Sequence, residues 1–193
     1  MKPMQEHLTE SLFYEVVVND KEGLEVFREG GPSHSYTELW NKIINAHARQ
    51  STNTIKDTNG VDRSIGKSPS NLRASAAVGN TNYGIRVGKG TTPVDISDYA
   101  LENPVDEGTG PGQLSHHEQQ WTTPVMSAPD CSFNIWRVMF NNTGSTVSGI
   151  REIGCYVIMS SWYGLAFRDV LAGAASIPFG GAMTVTYTLK VTA

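Results

Sequence analysis

The chain has 193 residues, 39% of them hydrophobic and 18% charged, with a formal net charge of −4. That length suits one domain, or one domain with an elaborated N-terminal part. The acidic balance supplies no basic field for nucleic acid and no polybasic patch for a membrane surface, and no apolar run reaches the ~20 residues of a membrane-spanning helix.

Nineteen glycines, with many Thr, Ser and Asn, favour strands and turns over helices. Residues 12–28 predict a β-hairpin, LFYEVVVND and LEVFREG joined by KEG. Ser35-Tyr36-Thr37-Glu38 matches a capping box, and Leu39, Trp40, Ile43, Ile44 and Ala48 follow at helical spacing. One helix is therefore expected from Tyr36 to about Arg49. TIKDTNGVDRSI predicts a second hairpin around Asn59-Gly60, and GKSPSNLRASAAVGNTN reads as a loop that orders only against a neighbour.

From Tyr83 the pattern tightens. YGIRVGKG alternates as a strand, DISDYAL predicts one helical turn, and a long glycine-rich loop enters a strand near residues 113–121. Phe133, Ile135, Arg137 and Met139 oppose Asn134, Trp136, Val138 and Phe140, which predicts a central strand covered on both faces. IREIGCYVIMSS follows, with Gly154 as a candidate bulge, then YGLAFRDVL and GAASIPFGGA. MTVTYTLKVTA closes the chain, with Met183, Val185, Tyr187, Leu189 and Val191 on one face and threonines and Lys190 on the other. Strands every ~10 residues with turns between them mark a mainly β protein, an antiparallel sandwich or jelly-roll-like domain with an N-terminal hairpin and one α-helix. Two parts are expected, residues 1–78 for attachment or oligomerisation and residues 79–193 as the sandwich.

The chemistry-bearing residues are sparse. Cys131 and Cys155 are a possible pair if their strands are neighbours. MKPMQEHLTES lacks the apolar core of a secretory signal, and cytoplasmic synthesis favours two reduced, buried thiols. His116-His117 is the densest titratable pair, but adjacent strand residues point to opposite faces, so one strand does not aim both at one metal. Asp95, Asp98, Glu102, Asp106 and Glu107 crowd acids near a glycine-rich loop, yet no EF-hand spacing exists; turn capping and solvation are expected. No GxSxG nucleophile elbow is present. Glu152 and Asp169 are candidate glycosidase carboxylates, although Arg151-Glu152 and Arg168-Asp169 read as solvated or paired charge at sheet ends. GIRVGKG lacks a phosphate-loop pattern, and its glycines are expected to permit a bend or a close backbone approach. Trp162, Tyr163, Trp121, His116 and His117 are the candidate interface or glycan contacts. No catalytic residue, cofactor or metal ligand is assigned.

Four ordered pieces carry a resemblance: GNTNYGIRVGKGTTPVDISDYALENPVDEGTGPGQLSH, FNIWRVMFNNTGSTVSGIREIGCYVI, LAFRDVL and GGAMTVTYTLKVTA. In this order and spacing, over residues 79–193, the chain resembles structural proteins of tailed bacteriophages. The resemblance implies a non-enzymatic β-sandwich module of the head surface, neck or tail. It implies residence in the virion and partners that are copies of itself, as a trimer or higher ring, and other virion proteins. A carbohydrate-binding module on a host surface glycan is the alternative, and a hydrolase would need two carboxylates or a triad converging in one pocket. The closing strand has no protective device beyond Lys190, so its threonine face or free edge is expected to meet a neighbouring subunit.

Overall fold

The computed structural model describes residues 9–33 and 35–192. The first hairpin is β1 (Thr9–Asn19) and β2 (Glu25–Ser33), turned by Asp20, whose carboxylate accepts the Glu22 and Leu24 amides. The helix α1 (Glu38–Arg49) and the small hairpin β3 (Asn53–Lys56) and β4 (Asp62–Ile65) follow. Next come β5 (Gly84–Gly88) and three short strands, β6 (Ser115–His116), β7 (Gln120–Trp121) and β8 (Val125–Ser127). The long strands β9 (Asp130–Phe140), β10 (Val147–Met159), β11 (Trp162–Ile177) and β12 (Ala182–Thr192) complete the chain.

The strands form an antiparallel β-sandwich with one helix. One sheet runs β2-β1-β12-β9, with β6, β7 and β8 strung along the far edge of β9; the other runs β11-β10-β5. Period 2 decides what lies between them. Val16 pairs with Val185, Val18 with Met183 and Leu12 with Leu189, and these side chains enter the core. Ile85, Val87, Ile153, Cys155 and Phe167 meet them from the second sheet. Residues 12–65 and 85–189 supply one shared hydrophobic cluster, so the first hairpin and the last strands build the same core. The closing strand lies between β1 and β9 along its whole length, so it has no free edge; the edge expected there belongs to β2.

Local expectations change where distant partners intervene. The first helical residue is Glu38 and the N-cap is Thr37, which makes no side-chain cap bond. Residues 35–37 instead lie antiparallel to β11, with Thr37 N–H donating to Ala166 O and Arg168 N–H to Ser35 O. Ser35 Oγ–H donates to the Asp169 carboxylate at 3.0 Å, so its hydroxyl is unavailable as a cap. DISDYAL forms a single hydrogen-bonded turn, Asp98 N–H to Asp95 O at 3.0 Å, and no helix, because Asp95 accepts the Ser97 amide and Asp98 is drawn to Arg168. The expected strand at 113–121 splits into β6 and β7, because Gln119 turns inward, accepting Ile85 N–H and donating to Trp136 O. The register irregularity expected at Gly154 falls between Cys155 and Tyr156. Gly154 serves close packing, since a Cβ there would meet Leu101, Leu165 and Phe167 O at 3.0 Å.

The strand covered on both faces is β10, not β9. Outward-facing Trp136 and Val138 are only half-buried and Phe140 is 39% exposed. The outer face of β10 carries Glu152 and Tyr156, and residues 89–105 lie across it. Close backbone approach requires Gly88 and Gly90 there. A Cβ on Gly88 would lie 2.6 Å from Asn103 O, and one on Gly90 would lie 2.6 Å from Glu102 Cβ.

On the inner side, Arg137 is fully buried. Its guanidinium donates to His117 O (2.7 Å), Ile85 O (3.1 Å), Ala77 O (3.2 Å) and Asn80 O (2.8 Å). It joins the first sheet to β5 and to both long connections. Arg137→Met, similar in length and without donors, removes all four bonds at once, and among the described residues only Ala77 O keeps a further donor, the Asn80 N–H. Urea unfolding is expected to show a loss of about 3–5 kcal/mol, the range for removing one partner of a buried charged network. A loss under about 1 kcal/mol would mean water replaces the guanidinium at no penalty.

Candidate interaction surfaces

Three polar centres organise the loops from the inside. Glu152, with no exposure, accepts Gly90 N–H (3.0 Å) and Asn103 N–H (2.7 Å) on one oxygen. Its other oxygen accepts Glu102 N–H (3.0 Å) and Arg168 Nε–H (3.1 Å). Arg168, 2% exposed, reaches Asp98 at 3.0 Å. Asp169 points the other way and accepts the hydroxyls of Ser33, Ser35 and Tyr187 at 2.9–3.1 Å. These charges are thus interior, not solvated at sheet ends, and Glu152 and Asp169 lie on opposite faces of their sheet. They do not converge in a pocket as glycosidase carboxylates would.

The acidic run is occupied in the same way. Asp95 holds the Ser97 turn, Glu102 accepts the Thr91 and Thr92 amides, and Glu107 accepts from His116. Among the described residues no group of three His, Cys, Asp or Glu is placed to hold a metal ion. Cys131 and Cys155 are both free; their strands belong to different sheets. Cys155 is buried and its thiol is pushed up to about 12 by burial, an inert core group, whereas Cys131 is half-buried.

The histidines part as alternation requires. His117 is exposed and meets Phe140 edge-on at 6.1 Å. His116 is 1% exposed, enclosed beneath the surface. Its Nδ1 lies 2.7 Å from Glu107 Oε2 and 3.1 Å from Leu114 O, two acceptors, so Nδ1 carries the hydrogen and the ring is neutral. Burial first, then the Arg137 charge, lowers its pKa from 6.5 to about 4, against the pull of Glu107.

The aromatic candidates separate into two places. Trp162 is 41% exposed, but the Arg63 guanidinium covers one face of its ring, 3.4 Å from the centroid. Tyr163 stacks on Tyr83 at 5.9 Å and 11°, with Arg73 above Tyr83. Trp121 lies elsewhere, on an open end of the sandwich. Cross-strand register puts Cys131 beside Val191, Phe133 beside Leu189, Trp121 beside Ile135 and Met126 beside Cys131, all on the inner face of the first sheet. The second sheet does not reach them. Trp121 is 56%, Met126 75% and Val191 52% exposed. Two apolar clefts of about 370 and 250 Å³ run between these strands and a partial roof of Leu72, Ala74, Pro124 and Trp40. Val191 is therefore apolar by pattern yet exposed. No family model, curated protein or solved structure matches the chain.

Two outcomes follow. Glu152→Gln places an amide NH2 among four donors, so the Gly90, Glu102 and Asn103 amides are expected to exchange with deuterium at least tenfold faster, about 1.4 kcal/mol of lost local protection. Unchanged exchange would show that other contacts hold residues 89–105. For His116, the unfolded ring binds a proton between pH 4 and 6.5 while the native ring does not. Stability from this group is then complete above pH 6.5 and falls as pH drops toward 4. The native chain is expected to lose on the order of 2 kcal/mol more than His116→Gln in urea titrations between pH 7.5 and 4.5. Parallel curves would rule out the depressed ring.

Proposed function

We propose that the chain is a non-enzymatic structural module of a tailed-phage virion that assembles with copies of itself through the open end of its sandwich. The ordered motif set of residues 79–193 supports the virion reading. The observation that carries self-association is the uncovered inner face: Trp121, Met126 and Val191 exposed around clefts floored by Phe133, Ile135 and Leu189. Single exposed apolar residues are ordinary, but a contiguous apolar face around clefts is the kind of surface that a partner covers. Its lining holds no carboxylate, and its two cations, Arg73 and Lys190, lie on long side chains. Depletion of charge at the centre, with Trp, Phe and Met present, is the composition of a subunit interface core. Every copy carries the same face, so a face that meets itself closes a two-fold dimer, and one that meets an adjoining surface makes a ring when the rotation closes.

Light scattering on the purified chain tests the association. A defined oligomer is expected, and Met126→Glu, at a site already exposed, is expected to shift it toward monomer without lowering the unfolding temperature. A native chain that stays monomeric at high micromolar concentration would sink self-association. Mass spectrometry of purified phage particles from the same source tests the virion assignment, with the chain expected at a structural copy number.

A further inference from the structure

On the outer face of the second sheet, a cleft of about 260 Å³ opens between the β3–β4 turn, residues 81–82 and residues 100–104. Its floor is Arg86 from β5 and Tyr156 from β10. Arg86 donates through Nη2 to Val105 O at 3.0 Å and its Nε–H is enclosed; its Nη1 makes no hydrogen bond, and the guanidinium makes no ion pair, among the described residues. Arg28, Arg63 and Arg168 each hold a carboxylate, whereas Arg86 is half-buried without one, as is Arg151, which donates instead to Ala172 O. Arg137 also lacks a carboxylate, but it is closed off from solvent and donates to four carbonyls.

The walls are polar and unengaged. The side chains of Thr58, Asn59, Thr81 and Asn82 line the cleft, and none makes a hydrogen bond within the described chain. Their backbones are nevertheless fixed. Thr58 N–H donates to Tyr163 O, Asp57 accepts the Asn59 and Val61 amides, and Asn82 N–H donates to the Asn80 side chain. The far wall is held by Tyr156 Oη, which accepts Leu101 N–H at 2.7 Å. The stacked Tyr83–Tyr163 pair adjoins, since Tyr83 follows Asn82 and Tyr163 is bonded to Thr58.

We infer that this cleft binds an acidic saccharide, with Arg86 taking the sugar carboxylate and the two amides and two hydroxyls taking its ring hydroxyls. One guanidinium matches one carboxylate through charge-assisted bonds. Side-chain amides and hydroxyls both donate and accept, as sugar hydroxyls do. The volume lies below the ~300–1,000 Å³ of clefts for drug-sized ligands, which suits a single sugar residue. The donor set is preorganised by backbone bonds, so binding orders little. This inference stands apart from the virion reading, because the polar cleft and the apolar clefts share no lining residue.

The test is an amide-resonance titration of the full chain with glucuronate, with glucose and acetate as controls. Glucuronate is expected to shift the Asn59, Asn82 and Leu101 amides saturably, and glucose and acetate, each lacking part of the recognised chemistry, to bind about tenfold more weakly or less. Arg86→Gln is expected to abolish the glucuronate response. Asn82→Ala, at an exposed position, is expected to weaken it severalfold with the fold intact, and decides the matter if Arg86→Gln does not fold. Absence of a saturable response to glucuronate overturns the inference, as does acetate binding equally well, which would mark a bare anion site. Undiminished binding in a folded Arg86→Gln or in Asn82→Ala overturns it too.

Discussion

The architecture depends on a guanidinium with no solvent around it. Arg137 is surrounded by four carbonyl oxygens from three separate parts of the chain, and its guanidinium joins them. A planar fork with five N–H groups can serve such a set; a lysine ammonium has three donors and a single point from which to aim them. Burial lowers the Arg137 pKa to about 10, still far above neutrality, so the positive charge stays in the interior. That charge is felt by His116, whose ring is kept neutral partly for this reason. A local hydrogen-bonding requirement thus fixes the seam between the sheets and the protonation state of a neighbouring side chain.

Glu152 solves the complementary problem on the outer face of the second sheet. There the unpaired groups are amide hydrogens of residues 90, 102 and 103, and a carboxylate is the acceptor that matches them. Arg168 neutralises it and extends the network to Asp98, so the 89–105 connection is bound at both ends of its crossing. Loops of this length are usually mobile or functional. Here a buried anion and glycines at 88 and 90 press one against a strand, and the rigidity makes a defined cleft beside it possible.

Much of the frame was legible in the sequence because it depends on local pattern. The alternation of 183–189 gives the inward face of the last strand, Asn59-Gly60 gives a hairpin turn, and spacing at 39, 40 and 43 gives the helix, although Ala46 turns inward where Ile44 and Ala48 are expected to. Misreadings arose where a distant segment claims a residue. Ser35 has the composition of a helix cap, but Asp169, far along the chain, takes its hydroxyl. Arg168 and Glu152 look like surface charges because nothing near them announces that residues 89–105 will cover their face. The candidate contacts fared unevenly for the same reason. Alternation separates His116 from His117, but which one goes inward depends on Glu107 and Arg137. The cleft around Arg86 left no local signal at all, since its walls come from three separated turns.

The open end of the sandwich has a geometric origin. β5 begins at Gly84, and the bond from Arg137 to Ile85 O places that beginning level with the middle of β9. Ile135, Phe133 and Cys131 lie further toward the start of β9, past the end of β5, where only loop residues such as Leu72 and Ala74 stand opposite. Yet the inward positions of β9 and β12 stay apolar over this stretch, through Phe133, Leu189 and Val191. Register would let polar side chains stand there without disturbing any pair in the core. The hydrophobic pattern thus outruns the surface that this chain can bury by itself. That excess distinguishes the open end from an ordinary strand terminus, where alternation fades as cover is lost.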